Sequence, residues 1–173
     1  MARTPSDSEF TELVEAAWPG LYRTAYLLLG EHHLAEDLVQ TSLAKTYASW
    51  PKVREPAAAA GYARVVLANT ASSWFRRRSW RNERPASEPP EPPGSSPEPS
   101  DRPAVVEALR TLPPRQRAVV VLRYYADLSV REVADALGIS EGTVKSQTSH
   151  ALSTLRVRLG DDVVPMNEGA RRD

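Results

Sequence analysis

Residues 85–103 hold eight of the chain's fifteen prolines, together with three glutamates and no aliphatic side chain larger than Ala86. Such a stretch has too little apolar surface to offset the entropy of ordering, and its prolines cannot donate to a helix or a ladder. It is expected to be an extended, disordered acidic linker that divides the 173 residues into two short pieces. At about 3.1 Å per residue it spans at most roughly 60 Å. That reach is enough to hold two small domains about two turns of a duplex apart, at roughly 34 Å per turn.

Both pieces are patterned as helices. In the first, Ser8 can cap a helix whose apolar positions are Phe10, Leu13, Val14 and Ala17, and Leu21 continues the spacing beyond Trp18-Pro19-Gly20. Because proline inside a helix removes a hydrogen bond and clashes with the preceding turn, the pattern predicts two helices, 8–17 and 19–29, closed by Gly30. A further helix over 31–50 turns Leu34, Leu38, Val39, Leu43 and Tyr47 inward. Its other face carries Glu36, Asp37, Gln40 and Thr41 at i, i+1, i+4 and i+5. Composition alone makes that stripe a solvated face, and the alternative is a docking surface for a basic helix of a larger partner.

After a proline-bounded loop at 51–56, residues 57–80 read as a long helix with Tyr62, Val65, Val66, Leu67, Thr70, Trp74 and Phe75 as apolar positions. It ends in Trp74-Phe75-Arg76-Arg77-Arg78-Ser79-Trp80-Arg81. Residues 61–84 carry six basic groups against one acidic, more than a helix dipole requires. Guanidinium groups neutralise phosphates and aromatic rings stack on exposed bases, so the block suits nucleic acid.

Beyond the linker, helices over 104–112 and 113–125 supply Val105, Leu109, Leu112, Val119, Val120, Leu122 and Tyr125 as core. Ser129 and Glu132 then form a capping box, Val133, Ala134 and Leu137 an apolar stripe, Gly138 a turn, and Ser140 a second cap. With Val144, Ala151, Leu152 and Leu155 turned inward, Lys145, Ser146, Ser149, His150 and Ser153 face outward. Caps and turn glycine at this spacing make a helix-turn-helix, whose second helix offers short donors and a cation to the major groove. The fold class expected is all-α.

Several classes of function lack support. There is no cysteine, and His32, His33 and His150 have no second ligand at metal spacing, so neither a disulfide framework nor a metal site is expected. No nucleophile–base pair or phosphate-cradling glycine loop stands out. The N-terminus lacks the apolar core of a signal peptide and no run approaches a membrane span, so a soluble, cytoplasmic protein without membrane insertion is expected. The net charge of zero is segregated: residues 110–158 carry eight basic against four acidic groups, and 85–109 one against five. The tail from residue 160 is polar and expected to fray.

With both pieces laid out, the chain resembles bacterial RNA polymerase sigma factors of the extracytoplasmic-function group, in the actinobacterial SigE-like subset. The strings that carry the resemblance are Ala35-Glu36-Asp37-Leu38-Val39-Gln40-Thr41, Leu67-Ala68-Asn69-Thr70, Leu112-Pro113-Pro114-Arg115-Gln116-Arg117 and Gly142-Thr143-Val144-Lys145-Ser146, in that order. The resemblance implies two small helical domains: sigma region 2 over 8–84 and sigma region 4 over 104–159, joined by the linker at 85–103 and followed by a tail at 160–173. It implies that Glu36, Asp37, Gln40 and Thr41 dock on the beta-prime clamp helices of core RNA polymerase, with the beta flap as a second contact. Asn69 would read the minus-ten promoter element. The loop bearing Trp50 and Val53 would hold a flipped base, and Arg76, Arg77 and Arg78 would contact the melted strand. Thr143, Lys145, Ser146, Ser149 and His150 would read the minus-thirty-five element. Promoter DNA, core polymerase and an anti-sigma factor are the partners implied, with no cofactor.

Two positions depart from the family pattern. His150 stands where arginine is more frequent, and Val53 is aliphatic where some relatives carry an aromatic residue. An alternative reading of 112–159 alone is a LuxR-like regulator that binds duplex DNA without polymerase, but it leaves the acidic stripe and the arginine block unexplained.

Overall fold

The computed structural model describes residues 5–82 and 103–161, the side chains of residues 78–82 excepted. Its described residues form seven α-helices: α1 (Asp7–Leu29), α2 (His32–Ala48), α3 (Ala59–Asn82), α4 (Ala104–Arg110), α5 (Pro114–Tyr124), α6 (Val130–Leu137) and α7 (Glu141–Leu159). Single 3-10 turns, Trp50–Lys52 and Pro56–Ala58, join α2 to α3. The linker reading at 85–103, save Pro103, and the tail reading beyond Asp161 fall outside the described residues.

One expectation is corrected at the outset. The helices expected at 8–17 and 19–29 are one continuous helix with Pro19 inside it, capped at Ser6 rather than Ser8. Ser6 Oγ accepts from the Glu9 amide at 3.3 Å, and the Glu9 carboxylate accepts from the Ser6 amide at 2.8 Å. Pro19 and Gly20 lie exposed. Leu13 before them and Leu21, Ala25 and Leu28 after them are buried, and that packing outweighs the ~3 kcal/mol propensity cost of an interior proline. Gly30, at φ 73°, takes the left-handed cap that closes the helix.

Helices α1, α2 and α3 pack on one another around Leu28, Leu38, Val39 and Leu67. The connection between α2 and α3 is fastened by Trp50, which is only 2% exposed. Its ring meets Phe10 edge-on at 5.2 Å and its indole N–H donates to Ser6 O at 2.9 Å. Tyr47, expected inside, is 47% exposed: one face of its ring packs on Phe10 at 4.8 Å while its hydroxyl donates to Asp7 at 3.0 Å. Tyr62 and Tyr125 are likewise exposed rather than core. A phenol that keeps its hydroxyl in water can cover apolar surface without being buried.

In the second half, Val119-Val120-Val121-Leu122 is helical although four consecutive apolar residues suit a strand. Ala118 to Leu122 are all buried, because α5 is enclosed by α1 on one side and by α4, α6 and α7 on the others. Five consecutive positions take in every side of a helix, so this stretch of α5 has to be surrounded. The two halves are in contact: α6 lies against α3, and α4 and α5 against α1, so a single apolar cluster runs through both.

Replacing Trp50 by alanine is expected to lower the unfolding free energy by about 3–5 kcal/mol. Replacing it by phenylalanine, which keeps the Phe10 contact and loses the donor, is expected to cost only about 1 kcal/mol. Denaturant midpoints measured at unchanged slope separate the two.

Candidate nucleic-acid interface

The turn between α6 and α7 is set by local chemistry. Ser129 Oγ accepts from the Glu132 amide at 3.1 Å while Glu132 accepts from the Ser129 amide at 2.7 Å, which starts α6. Gly138, at φ 66°, ends it in the left-handed conformation. Ser140 Oγ then accepts from the Thr143 amide at 3.1 Å and starts α7. Asp127, at φ 59°, makes the preceding turn, and Arg123 secures that turn by donating to Leu128 O at 2.8 Å.

On α7, Val144, Ala151, Leu152 and Leu155 are buried as the spacing predicts. Thr148 joins them, its hydroxyl satisfied by Val144 O at 2.7 Å. Lys145, Ser146, Ser149 and His150 are exposed, with Thr143 half-buried beside them. The Thr143 hydroxyl shares a 2.8 Å hydrogen bond with Ser140 and the Ser146 hydroxyl donates to Thr143 O at 3.1 Å, so both are held at the start of the helix. One face of α7 therefore presents short donors, one lysine and one imidazole.

Asn69 stands exposed on α3. The neighbouring Thr70 is buried and receives a hydrogen bond from Lys45 Nζ of α2 at 3.2 Å, which ties the Asn69 turn to the helix behind it. Arg76 and Arg77 are exposed, Arg76 steadied by donation to Ser72 Oγ at 3.1 Å, while Trp74 and Phe75 are half-buried against the shared cluster. The side chain of Arg78 lies outside those described, as does that of Trp80.

Beside this helix, the loop after α2 forms an open pocket of about 400 Å³ lined by Lys52, Val53, Arg54, Ala59 and Tyr62 among others. Val53 is half-buried there and the ring of Tyr62 is exposed. Trp50 needs correction as a DNA contact. Buried against Phe10, with its N–H committed to Ser6 O, it supports the loop from below and leaves the pocket wall to Val53 and Tyr62. The spacing of Tyr62 on α3 matches the buried positions and predicts core; in the fold its ring is exposed and lines the pocket with the loop residues.

Glu36, Asp37 and Gln40 are exposed on one face of α2, with Thr41 half-buried at its edge. At its N-terminal end the Tyr26 and His32 rings stack at 4.4 Å and the Tyr22 hydroxyl bonds His32 Nδ1. Burial raises the Tyr22 phenol pKa above its ordinary value, with Glu36 and Tyr26 adding to the effect. No group of three or more potential metal-ligating side chains occurs among the described residues, and none of their helices is long and apolar enough to cross a membrane.

Compared with known proteins, residues 13–81 match the model of sigma-70 region 2 and residues 102–155 that of sigma-70 region 4. The RNA polymerase sigma-E factor of Streptomyces coelicolor is 40% identical over 153 residues, covering 87% of this chain and 86% of that one. The chain belongs to the sigma-70 family, in its extracytoplasmic-function group. The extracytoplasmic-function sigma factor SigL of Mycobacterium tuberculosis is 31% identical over 146 residues, with 80% of this chain and 82% of that one covered. Among solved structures, the sigma factor RpoE of Bartonella quintana, in complex with the anti-sigma factor NepR, is similar at a TM-score of 0.68 and 26% identity over 90% of this chain and 99% of that one. In this sigma factor the region 2 match takes in α2, the loop pocket and most of α1 and α3, and the region 4 match takes in the whole helix-turn-helix turn.

The Ser140 cap orders the turn that carries Thr143, Lys145 and Ser146. Ser140→Ala is expected to cost about 1 kcal/mol and to speed hydrogen exchange at the Thr143 amide. Ser146→Ala, which touches only a surface hydroxyl, is expected to stay within about 0.5 kcal/mol of the parent.

Proposed function

We propose that this sigma factor binds core RNA polymerase through α2, brings it to promoters by reading two DNA elements with its two halves, and assists strand opening, while the polymerase carries out the bond-making chemistry. Glu36, Asp37, Gln40 and Thr41 form the polymerase contact, an acidic and amide-bearing stripe suited to basic helices of a large partner. Asn69, with the pocket of Val53 and Tyr62, reads the minus-ten element. Arg76, Arg77 and Arg78 hold the backbone of the opened strand. Lys145, Ser146, Ser149 and His150, with Thr143 at the helix start, read the minus-thirty-five element in the major groove. The site of action is the cytoplasm, and an anti-sigma factor, of the kind bound to the Bartonella relative, is a candidate regulator.

The observation that carries this reading is the loop pocket lined by Val53 and Tyr62, two helical turns before the exposed Asn69 on the same helix. Extruding a base costs a few kcal/mol of stacking, so a site that captures one base makes opening depend on sequence. Among its lining residues Lys52 and Arg54, against the single acidic Glu55, supply a net positive charge for the adjoining phosphates, and the exposed Tyr62 ring offers a stacking surface where Val53 cannot. His150 changes what the second element can be, because an imidazole lacks the forked pair of donors with which arginine grips guanine. The match to sigma region 2 over the first half disfavours a polymerase-independent regulator, which needs only the second.

Run-off transcription with purified core polymerase over a pool of genomic fragments tests the reading. Discrete new starts are expected with the parent chain, weakened at least about tenfold by either Asn69→Ala or Lys145→Ala, since one lost base contact is worth about 1–3 kcal/mol. No new starts, together with a gel shift by the protein alone, would sink it. In a separate measurement, Asp37→Ala with Gln40→Ala is expected to weaken core polymerase binding about tenfold or more; unchanged affinity would remove the docking role.

A further inference from the structure

A cleft of about 640 Å³ lies between the two halves, and its lining is strongly biased in charge. Arg76 of α3 reaches it from the first half, and Arg110, Arg115 and Arg117 reach it from the second. Glu31 is the one acidic residue among its described lining residues. The cleft therefore carries a net charge of +3 in a chain whose formal net charge is zero. Low-dielectric walls concentrate such a field and raise the local concentration of anions.

Two of the four guanidiniums are positioned by main-chain carbonyls. Arg117 Nη1 donates to Leu28 O at 3.1 Å, and Arg110 Nη1 donates to Gly30 O at 3.5 Å. Those bonds fix where the groups stand without cancelling their unit charges, because a carbonyl at a helix end carries only a partial charge. The other two, Arg76 and Arg115, are exposed, and Arg76 is steadied by donation to Ser72 Oγ at 3.1 Å. Arg115 stands in the first turn of α5, which has no acidic residue and no side-chain cap, so the partial charge of the helix adds to that of the arginines. One aromatic ring, that of the half-buried Phe75, shares the same cleft.

We propose that this cleft is a binding site for an organic phosphate of nucleotide size, with the phosphates among the four arginines and the base against the Phe75 ring. The planar fork of a guanidinium matches phosphate oxygens two at a time, which a lysine cannot do. The volume falls within the roughly 300–1,000 Å³ of small-molecule sites. Inorganic phosphate would leave most of that volume empty and Phe75 without a role, whereas a base offers a flat face to the ring. The site draws on both halves, so neither half alone presents it. It goes beyond the proposed function, in which Phe75 and Arg115 have no part.

Isothermal titration of the full-length protein with ATP, tripolyphosphate and adenosine, without magnesium and at about 0.1 M salt, tests the site. ATP is expected to bind saturably at one site per chain. Tripolyphosphate, although it carries more charge, is expected to bind about tenfold more weakly for want of a base, and adenosine more weakly still. Arg76→Ala and Arg115→Ala, one on each half, are each expected to weaken ATP binding about tenfold. Arg131→Ala removes the same charge from an exposed position on α6 outside the cleft, and is expected to stay within about twofold of the parent. Phe75→Leu is expected to bring ATP down to the affinity of tripolyphosphate.

Circular dichroism and thermal melting establish that each variant is folded; if Phe75→Leu is not, the exposed Arg76 and Arg115 variants and the comparison of ATP with tripolyphosphate decide. Absence of saturable ATP binding would overturn the site. So would equal weakening by Arg131→Ala and the two cleft variants, which would mean a diffuse attraction for anions. Equal affinity for ATP and tripolyphosphate would overturn the nucleotide as ligand, and loss with only one of the two cleft arginines would overturn a site shared by the halves. The titrations contain neither polymerase nor DNA, so their failure leaves the proposed function standing.

Discussion

Helix α5 is the element on which the arrangement depends, because its middle stretch has no face that can be left in water. Ala118, Val119, Val120, Val121 and Leu122 are all buried, and no single neighbour could cover five consecutive positions of a helix. Helices α4, α6 and α7 cover part of it and α1 covers the remainder. If the halves parted, the side of α5 that meets α1 would be exposed at about 25 cal/mol per Å² of apolar surface. The contact therefore has an apolar basis that is non-directional, to which Arg110 and Arg117 add hydrogen bonds to Gly30 O and Leu28 O at the end of α1.

The elements differ in how far their own sequence determines them. Helix α6 has only eight residues, too few to be stable alone, yet both its ends are specified: a reciprocal Ser129–Glu132 box at the start and Gly138 in the left-handed region at the end. Its stripe of Val133 and Ala134 then fixes which side faces inward. Helix α1 is the opposite case. Pro19 argues locally for a break, and only the burial of residues on both sides of it keeps the helix continuous. Local and tertiary preferences agree in the helix-turn-helix and conflict in α1, and where they conflict packing decides.

That difference explains what could be read from the sequence. The all-helical class, the turn at Gly138, the inward residues of α7 and the exposed stripe of Glu36, Asp37 and Gln40 all follow from period and capping, which are local. The continuous α1 did not, because propensity counts the proline without the cover it receives. Trp50 and Tyr62 exchanged places for a related reason: an aromatic residue in a loop suggests a ligand contact and one at a helical apolar position suggests core. Here Phe10 and Ser6 O take the indole inward, and the loop turn leaves the phenol out. Arg117 is legible only as part of a family string and Arg110 not at all, since their partners on α1 are main-chain carbonyls more than 75 positions away in the chain. No side-chain pattern encodes a carbonyl.

The surfaces left for function are those that the closed core does not use. The polar stripe of α2, the exposed Asn69 and the outward face of α7 carry side chains that contribute little to stability, because they stand in water. Two of the three are ordered from within the fold: α2 because its stripe stands on buried Leu38 and Val39, and α7 because Ser140 orders its first turn. The third is divided. Asn69 and the pocket by Tyr62 are open, whereas Phe75 and Arg76, one or two turns further along the same helix, face the other half.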